Sequence, residues 1–303
     1  MMKRKLIELG QGSMVVSIPS KFVKKNNLVK GQEIEIEEVA PSQLLIKANP
    51  MQTTPLKKAI ISIKNKDEFM QRLIHRKYTD GYDEITINFE DKEVLELIEK
   101  AIDLLIGYDI IELGENRCII RSLSSENENE FENVLRRLFL LIVNTCEESF
   151  KSISNKEYNR LDVLTRFGAT TNKYTFFCER LLKKGVILKE HNSFELYTLV
   201  WTLEQIADNF NYIWKSLINS SNTLPNTLIN RYNSLIILLR NFYELFYTRT
   251  KKKIYDQKQA HNEFFKFNID PKTIEEAKIF GLMDAIADKL FHLSAFILPK
   301  EEK

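Results

Sequence analysis

Apolar and polar positions follow three successive rhythms along the chain. Up to about residue 48 the apolar runs are short: Val15 to Pro19, then a basic helical turn at Lys21 to Lys25, then Ile34 and Ile36 alternating with Glu33, Glu35 and Glu37. Alternation with period two marks a strand with one covered face, and the runs predict strands over 3–9, 14–18, 33–39 and 43–47. Pro19 stops the second strand because proline has no amide hydrogen to give to a ladder. Ser20 stands where a helix N-cap belongs, and Gly31 supplies the positive φ for the turn into the third strand.

From Ala59 onward the two periods alternate. Ala59 to Ile63 predicts a strand, and Asp67 to Lys77 a helix with Phe69, Leu73 and Ile74 on one face. Glu84 to Phe89 predicts a strand with Ile85, Ile87 and Phe89 on one side. Asp91 to Ile106 reads as a helix ended by Gly107, and 109–113 with 118–123 as a hairpin around Gly114-Glu115-Asn116. The order βαβαββ predicts a ferredoxin-like, split-βαβ layer of helices on a sheet over 56–123. Asn49 to Pro55 is a polar, proline-bracketed connector ahead of it.

The third rhythm is helical. Apolar spacing predicts helices over 127–153, 155–184, 192–219, 225–250, 253–267 and 271–297, with breaks at Gly185, Asn192-Ser193, Pro225 and Pro271. Short connections between them predict antiparallel bundles over 127–298, and the whole chain is a multidomain α+β protein. Leu203-Glu-Gln-Ile-Ala-Asp208 matches Met283-Asp-Ala-Ile-Ala-Asp288, each in the third helix of a triplet. Glu204 with Asp208, and Asp284 with Asp288, therefore place two acids on one side of a helix. Two such carboxylates repel by about 0.2–0.5 kcal/mol. A cation held by oxygens from facing helices reverses that sign, and a wet helix side paired with lysines also accommodates the acids.

Charge changes this picture at the N-terminus. The chain of 303 residues is nearly balanced at +2, yet Lys3, Arg4, Lys5, Lys21, Lys24, Lys25 and Lys30 face Glu8 alone among the first thirty residues. A concentrated basic face duplicated by a two-fold axis suits the phosphate backbone of double-stranded DNA; the other reading is a solvated lysine surface. Fewer than about 50 residues bury too little surface to stand alone, which predicts a homodimer. Cys118, Cys146 and Cys178 are odd in number and set among apolar residues, as reduced core thiols of a cytoplasmic protein are. The histidines form no close pair and no phosphate-cradling glycine loop is present, so no enzyme signature is visible. No apolar run reaches the ~18 residues of a membrane span. Phe176-Phe177, Phe242 to Phe246 and Phe264-Phe265 read as bundle core, and Arg249 to Lys253 as a basic break between helices.

Two resemblances sharpen these expectations. Gly12-Ser13, Val15 to Pro19, Lys21 to Lys25 and Leu28-Val-Lys-Gly31 resemble the AbrB/SpoVT/MazE swapped-hairpin DNA-binding domain over roughly residues 3–48, with Phe22 where archaeal members often carry tryptophan. That resemblance implies an interleaved homodimer holding DNA through Lys3, Arg4, Lys5, Lys21, Lys24 and Lys25, mostly at phosphates. Residues 131–298 resemble the PhoU family, whose tandem three-helix bundles carry Glu/Asp-x-x-x-Asp motifs. This second resemblance implies iron or zinc held by Glu204, Asp208, Asp284 and Asp288. Glu157-Tyr-Asn-Arg-Leu161 departs from the family's Glu-x-Asp-Arg-Leu at Asn159, which removes one expected ligand. The pairing of the two domains is similar to archaeal phosphate-uptake regulators. It implies a DNA-binding regulator with a phosphate transporter or signalling kinase as partner. The rivals are an adaptor that dimerises without binding DNA and, last, a metal-dependent hydrolase.

Overall fold

The computed structural model describes residues 4–10, 12–40, 43–48, 56–63, 68–91, 93–123, 126–186, 193–220, 223–266 and 269–297. Lys3 and the connector at 49–55 lie outside the described residues. The chain divides into two compact units, Met1–Leu56 and Lys57–Lys303.

In the first unit, β1 (Leu6–Glu8) pairs antiparallel with β2 (Met14–Val16), and β3 (Ile34–Ala40) with β4 (Gln43–Ala48). Between the two ribbons lies α1 (Ser20–Lys25). Its N-cap is Pro19 rather than the expected Ser20: the Pro19 carbonyl accepts from the Phe22 and Val23 amides at 2.8 and 3.1 Å, and no side chain caps the helix. Asn27, at φ 49°, ends the helix.

The second unit opens with the βαβαββ order expected: β5 (Lys58–Ile63), α2 (Glu68–Thr79), β6 (Glu84–Phe89), α3 (Val94–Ile102), β7 (Tyr108–Leu113) and β8 (Arg117–Ser122). The strand order is β5-β6-β8-β7. β5 and β6 are parallel direct neighbours, so the βαβ unit is not split as a ferredoxin-like sheet requires; the hairpin returns β8 to the open edge of β6 instead. Ile61, Ile63, Ile85, Ile87, Phe89 and Ile120 on one sheet face share a core with Ile74 and Tyr78 of α2 and Ile98 of α3. The opposite face carries a polar row in which Glu84 pairs with Lys58 at 2.8 Å and with Arg121.

The helical region comprises α4 (Glu128–Ser154), α5 (Leu161–Thr165), α6 (Phe167–Lys183), α7 (Ser193–Ile218), α8 (Asn226–Tyr247), α9 (Lys251–Phe265) and α10 (Ile274–Ile297). The single helix expected over 155–184 is divided: Lys156 takes φ 60°, a 3-10 turn follows at Tyr158–Arg160, and α5 and α6 complete the span. Asn127 caps α4 by accepting from the Glu130 amide at 3.0 Å, and Thr250 caps α9. α4 packs with α6 and α7, α8 with α9 and α10, and the two triplets meet through α7 on α10 and α4 on α8. A buried polar chain ties three helices together: Trp214 Nε1 donates to the Tyr232 hydroxyl at 3.0 Å, which lies 2.5 Å from Ser149 Oγ, which donates to the Cys146 carbonyl at 2.6 Å. Every member finds a partner, as a polar group inside a bundle must. All three cysteines are free and buried, and Phe177, Phe242 and Phe264 lie in the core. No helix among the described residues is long and apolar enough to cross a membrane.

The sheet module and the bundle form one compact unit. Their junction is Arg180 of α6, with no solvent exposure. Its guanidinium donates to the Tyr78 and Tyr82 carbonyls at 2.8 and 2.6 Å, to Asp83 at 3.0 Å and to Glu126 at 2.6 Å. The rings of Tyr78 and Tyr108 lie 4.9 and 5.2 Å from it. Lys184 adds contacts to Asp83 and Glu126 at 2.6 and 2.5 Å. The turn after α2 needs Gly81: its φ is +78°, and a Cβ there would sit 2.7 Å from the Lys184 stem.

Candidate functional site

The basic residues singled out in the sequence lie on two short elements of the first unit. Lys21, Lys24 and Lys25 stand at i, i+3 and i+4 of α1, share one side of it and are exposed. Arg4 and Lys5 lead into β1 and are exposed as well. Among the described residues, Lys5, Lys21, Lys24 and Lys25 make no ion pair. The β1–β2 ribbon that Arg4 and Lys5 lead into is apolar on both faces apart from Glu8. Leu6 opposes Val16 and Glu8 opposes Met14 on one face, and Ile7 opposes Val15 on the other. All six side chains are exposed, Leu6 by 66% and Val16 by 47%. No described side chain of the first unit is buried.

The four acids of the helical region meet different partners. On α7, Glu204 and Asp208 hydrogen-bond each other. Burial, then the neighbouring Asp208 and Glu179 charges, push the Glu204 carboxyl up to about 7. Burial also raises Asp208, against the opposing pull of the Glu204 hydrogen bond and Lys215. On α10, Asp284 is engaged by the buried Arg231 of α8, whose guanidinium lies against the rings of Phe264 and Phe280 at 4.1 and 4.5 Å. Asp288 is exposed and feels His261 of α9.

Iron or zinc needs several donors converging with the right chemistry. Among the described residues no three His, Cys, Asp or Glu side chains gather to hold a metal ion. One expected pair is pushed up by burial, and the other gives Asp284 to the Arg231 guanidinium. Among the described residues the four acids do not gather into one donor set for a metal cluster.

Glu204 instead faces a cleft. About 290 Å³ opens between α2, α6 and α7, lined by Arg72, Arg76, Thr175, Glu179, Trp201 and Glu204. Comparison with protein-family models, with curated proteins and with solved structures gives no match to this chain. The assignment therefore rests on geometry. Sequence spacing brought out Glu204 alone of these six, because the others are spread over α2, α6 and α7, with about a hundred residues between α2 and α6, and no pattern in the sequence joins the three helices.

The protonated acid pair has a measurable consequence. Glu204 is an ordinary carboxyl of pKa 4.5 when unfolded and titrates at about 7 when folded. Between those values the folded chain binds a proton that the unfolded chain has released, so stability falls as pH rises through that window. Glu204→Gln keeps a neutral donor toward Asp208 at every pH. We expect it to raise stability at pH 8 by about 1–2 kcal/mol, solvent access keeping the gain below the full linkage value, and to change little at pH 4.5. Urea denaturation at the two pH values checks this; equal effects at both would contradict a proton held at Glu204.

Proposed function

We propose that this chain is a homodimeric, DNA-binding transcriptional regulator linked to phosphate uptake. Its first unit holds the duplex, and its helical region receives the signal. The observation that carries this reading is the β1–β2 ribbon: apolar on both faces apart from Glu8, exposed at all six positions, and adjoined in sequence by the lysines of α1. A two-stranded ribbon is marginal in water, and one with two apolar faces requires cover on both. A second copy of the same ribbon supplies it and doubles the basic surface, which suits a roughly palindromic site. Lys5, Lys21, Lys24 and Lys25, and Arg4 with them, then face phosphates rather than base edges. The order of turns and strands that resembles the AbrB/SpoVT/MazE domain supports the same reading, and the PhoU-like helical triplets support the link to phosphate.

Duplex affinity as a function of salt tests it. Six to ten phosphate contacts give a slope of log K against log[salt] of roughly −5 to −9. Lys24→Ala, removing one contact per copy, is expected to reduce the slope by about 2 and to weaken binding to all sequences alike. A flat or absent slope assigns the first unit to dimerisation alone and leaves a non-DNA-binding adaptor that regulates a phosphate transporter through protein contacts.

A further inference from the structure

The cleft between α2, α6 and α7 joins the sheet module to the bundle and is built with opposed walls. On the α2 side stand Arg72 and Arg76, and on the α6 and α7 side stand Glu179 and Glu204. Arg76 is positioned by Asp80, which accepts from its Nε at 2.9 Å, and Glu179 accepts a hydrogen bond from Tyr197. Thr175 lies between the walls, only 2% exposed, and its Oγ1 has no hydrogen-bond partner. An unsatisfied buried hydroxyl on the lining of a cavity can pair with a ligand group, since an unpaired buried polar atom costs about 1–3 kcal/mol. His75 contributes a neutral imidazole: its Nε2 lies 3.1 Å from the Ala101 carbonyl, burial lowers its basicity, and its ring rests on Phe176 at 4.8 Å. Trp201, 54% exposed, flanks the opening with a broad apolar face.

We propose that this cleft binds a small zwitterion carrying a primary ammonium and a carboxylate, an amino acid or a molecule of that size. The carboxylate sits against Arg72 and Arg76, where the guanidinium fork matches its geometry. The ammonium sits against Glu179 and Glu204, with Thr175 Oγ1 taking one polar atom. Trp201 and Phe176 cover the side chain. A volume of about 290 Å³ lies at the lower end of small-molecule pockets. A bare phosphate fits poorly, because Glu179 and the negative charge that the Glu204–Asp208 pair retains oppose a second anion, and a simple amine leaves the arginine wall without a partner. A ligand here touches α2 of the sheet module and two bundle helices at once. The inference stands apart from whether the first unit binds DNA.

The test uses the full chain. Thermal shift with each of the twenty standard amino acids at millimolar concentration, beside inorganic phosphate and ethanolamine, is followed by calorimetric titration. At least one amino acid is expected to raise the melting temperature and to bind with a Kd below about 1 mM, with phosphate and ethanolamine at least tenfold weaker. Arg72→Gln and Trp201→Ala, both at exposed positions, should each weaken binding tenfold or more, and Glu148→Gln, remote from the cleft, should leave it unchanged. Thr175→Val separates ligand contact from folding: it should weaken binding while raising the melting temperature, because an apolar methyl replaces an orphan hydroxyl. Binding by none of the amino acids, equal binding of phosphate or ethanolamine, or wild-type affinity in the cleft variants would each overturn the proposal.

Discussion

Arg180→Met lowers stability by about 3–5 kcal/mol, the range for removing one partner from a buried ion-pair network. The loss is large because of what stays behind. Asp83 and Glu126 keep side chains that are 17% and 8% exposed, and the carbonyls of Tyr78 and Tyr82 lose the donor that satisfied them. Methionine restores the packing volume between Tyr78 and Tyr108, so the deficit is one of charge and hydrogen bonds rather than of a cavity. Lys184 reaches both acids and offsets part of the cost. Arg180→Lys is not conservative here, since an ammonium cannot span four acceptors in a plane and stack on two rings. Urea denaturation, with tyrosine near-UV dichroism to follow the junction, measures the effect. A loss under 1 kcal/mol would refute the role given to Arg180. The network also fixes an acid limb. Burial pushes the Asp83 carboxyl up, but hydrogen bonds from Lys184 and the Lys57 amide outweigh it and hold the group below its ordinary 3.8. A depressed carboxyl stabilises the fold above its unfolded value and loses that contribution as pH falls through the folded one. The stability of wild type should therefore fall below about pH 4, and less of it should remain to be lost in Arg180→Met.

Most elements of the second unit were legible because their periods are clean. Ile85, Ile87 and Phe89 alternate, and the helices from 127 onward keep a sustained 3.6 spacing; their observed ends fall within a few residues of those expected, apart from the division at Lys156–Arg166. The strand order was not legible. Nothing local tells β8 to insert between β6 and β7 rather than to extend the sheet outward, since that choice is settled by pairing between Ile85 and Ile120 and between Ile87 and Cys118. The buried arginines were also missed, though a signal exists. Arg231 stands three residues after Leu228 and four before Leu235, and Arg180 three after Phe177, in phase with core positions. An arginine on the apolar stripe of a helix implies a buried acid or carbonyl to receive it. Reading Arg231 in that way would have claimed a carboxylate from the facing helix before any metal did, and Asp284 is the one it takes. The acid pair at Glu204 and Asp208 was found by repeat, but a repeat gives only spacing on its own helix. Whether a proton, a lysine or a metal balances the charge depends on α2 and α6, which sequence proximity does not reveal.

If the first unit pairs as proposed, Val16→Asp is expected to abolish the dimer and DNA binding with it. On the proposed reading, Val16 and its cross-strand neighbour Leu6 pack against the second copy, so an aspartate there brings an unpaired carboxylate into an apolar contact twice per dimer. About 2 kcal/mol per copy raises the dimer dissociation constant by roughly a thousandfold. The alternative, a ribbon that stays open to water, predicts the opposite: an exposed Val→Asp change moves stability by about 0.5 kcal/mol or less. The exposure of Val16 is the same in both cases, so only the assembly state distinguishes them. Sedimentation velocity across a hundredfold range of concentration reads that state directly, and urea denaturation shows whether the second unit, with its own core, remains folded in the variant. A dimeric Val16→Asp protein with wild-type DNA affinity would sink the paired-ribbon arrangement. A monomeric variant that has lost duplex binding while keeping the stability of its second unit places the effect in the ribbon. That outcome would make Lys21, Lys24 and Lys25 effective only in duplicate, because one copy's phosphate contacts give a shallow salt slope and the micromolar or weaker affinity of non-specific binding.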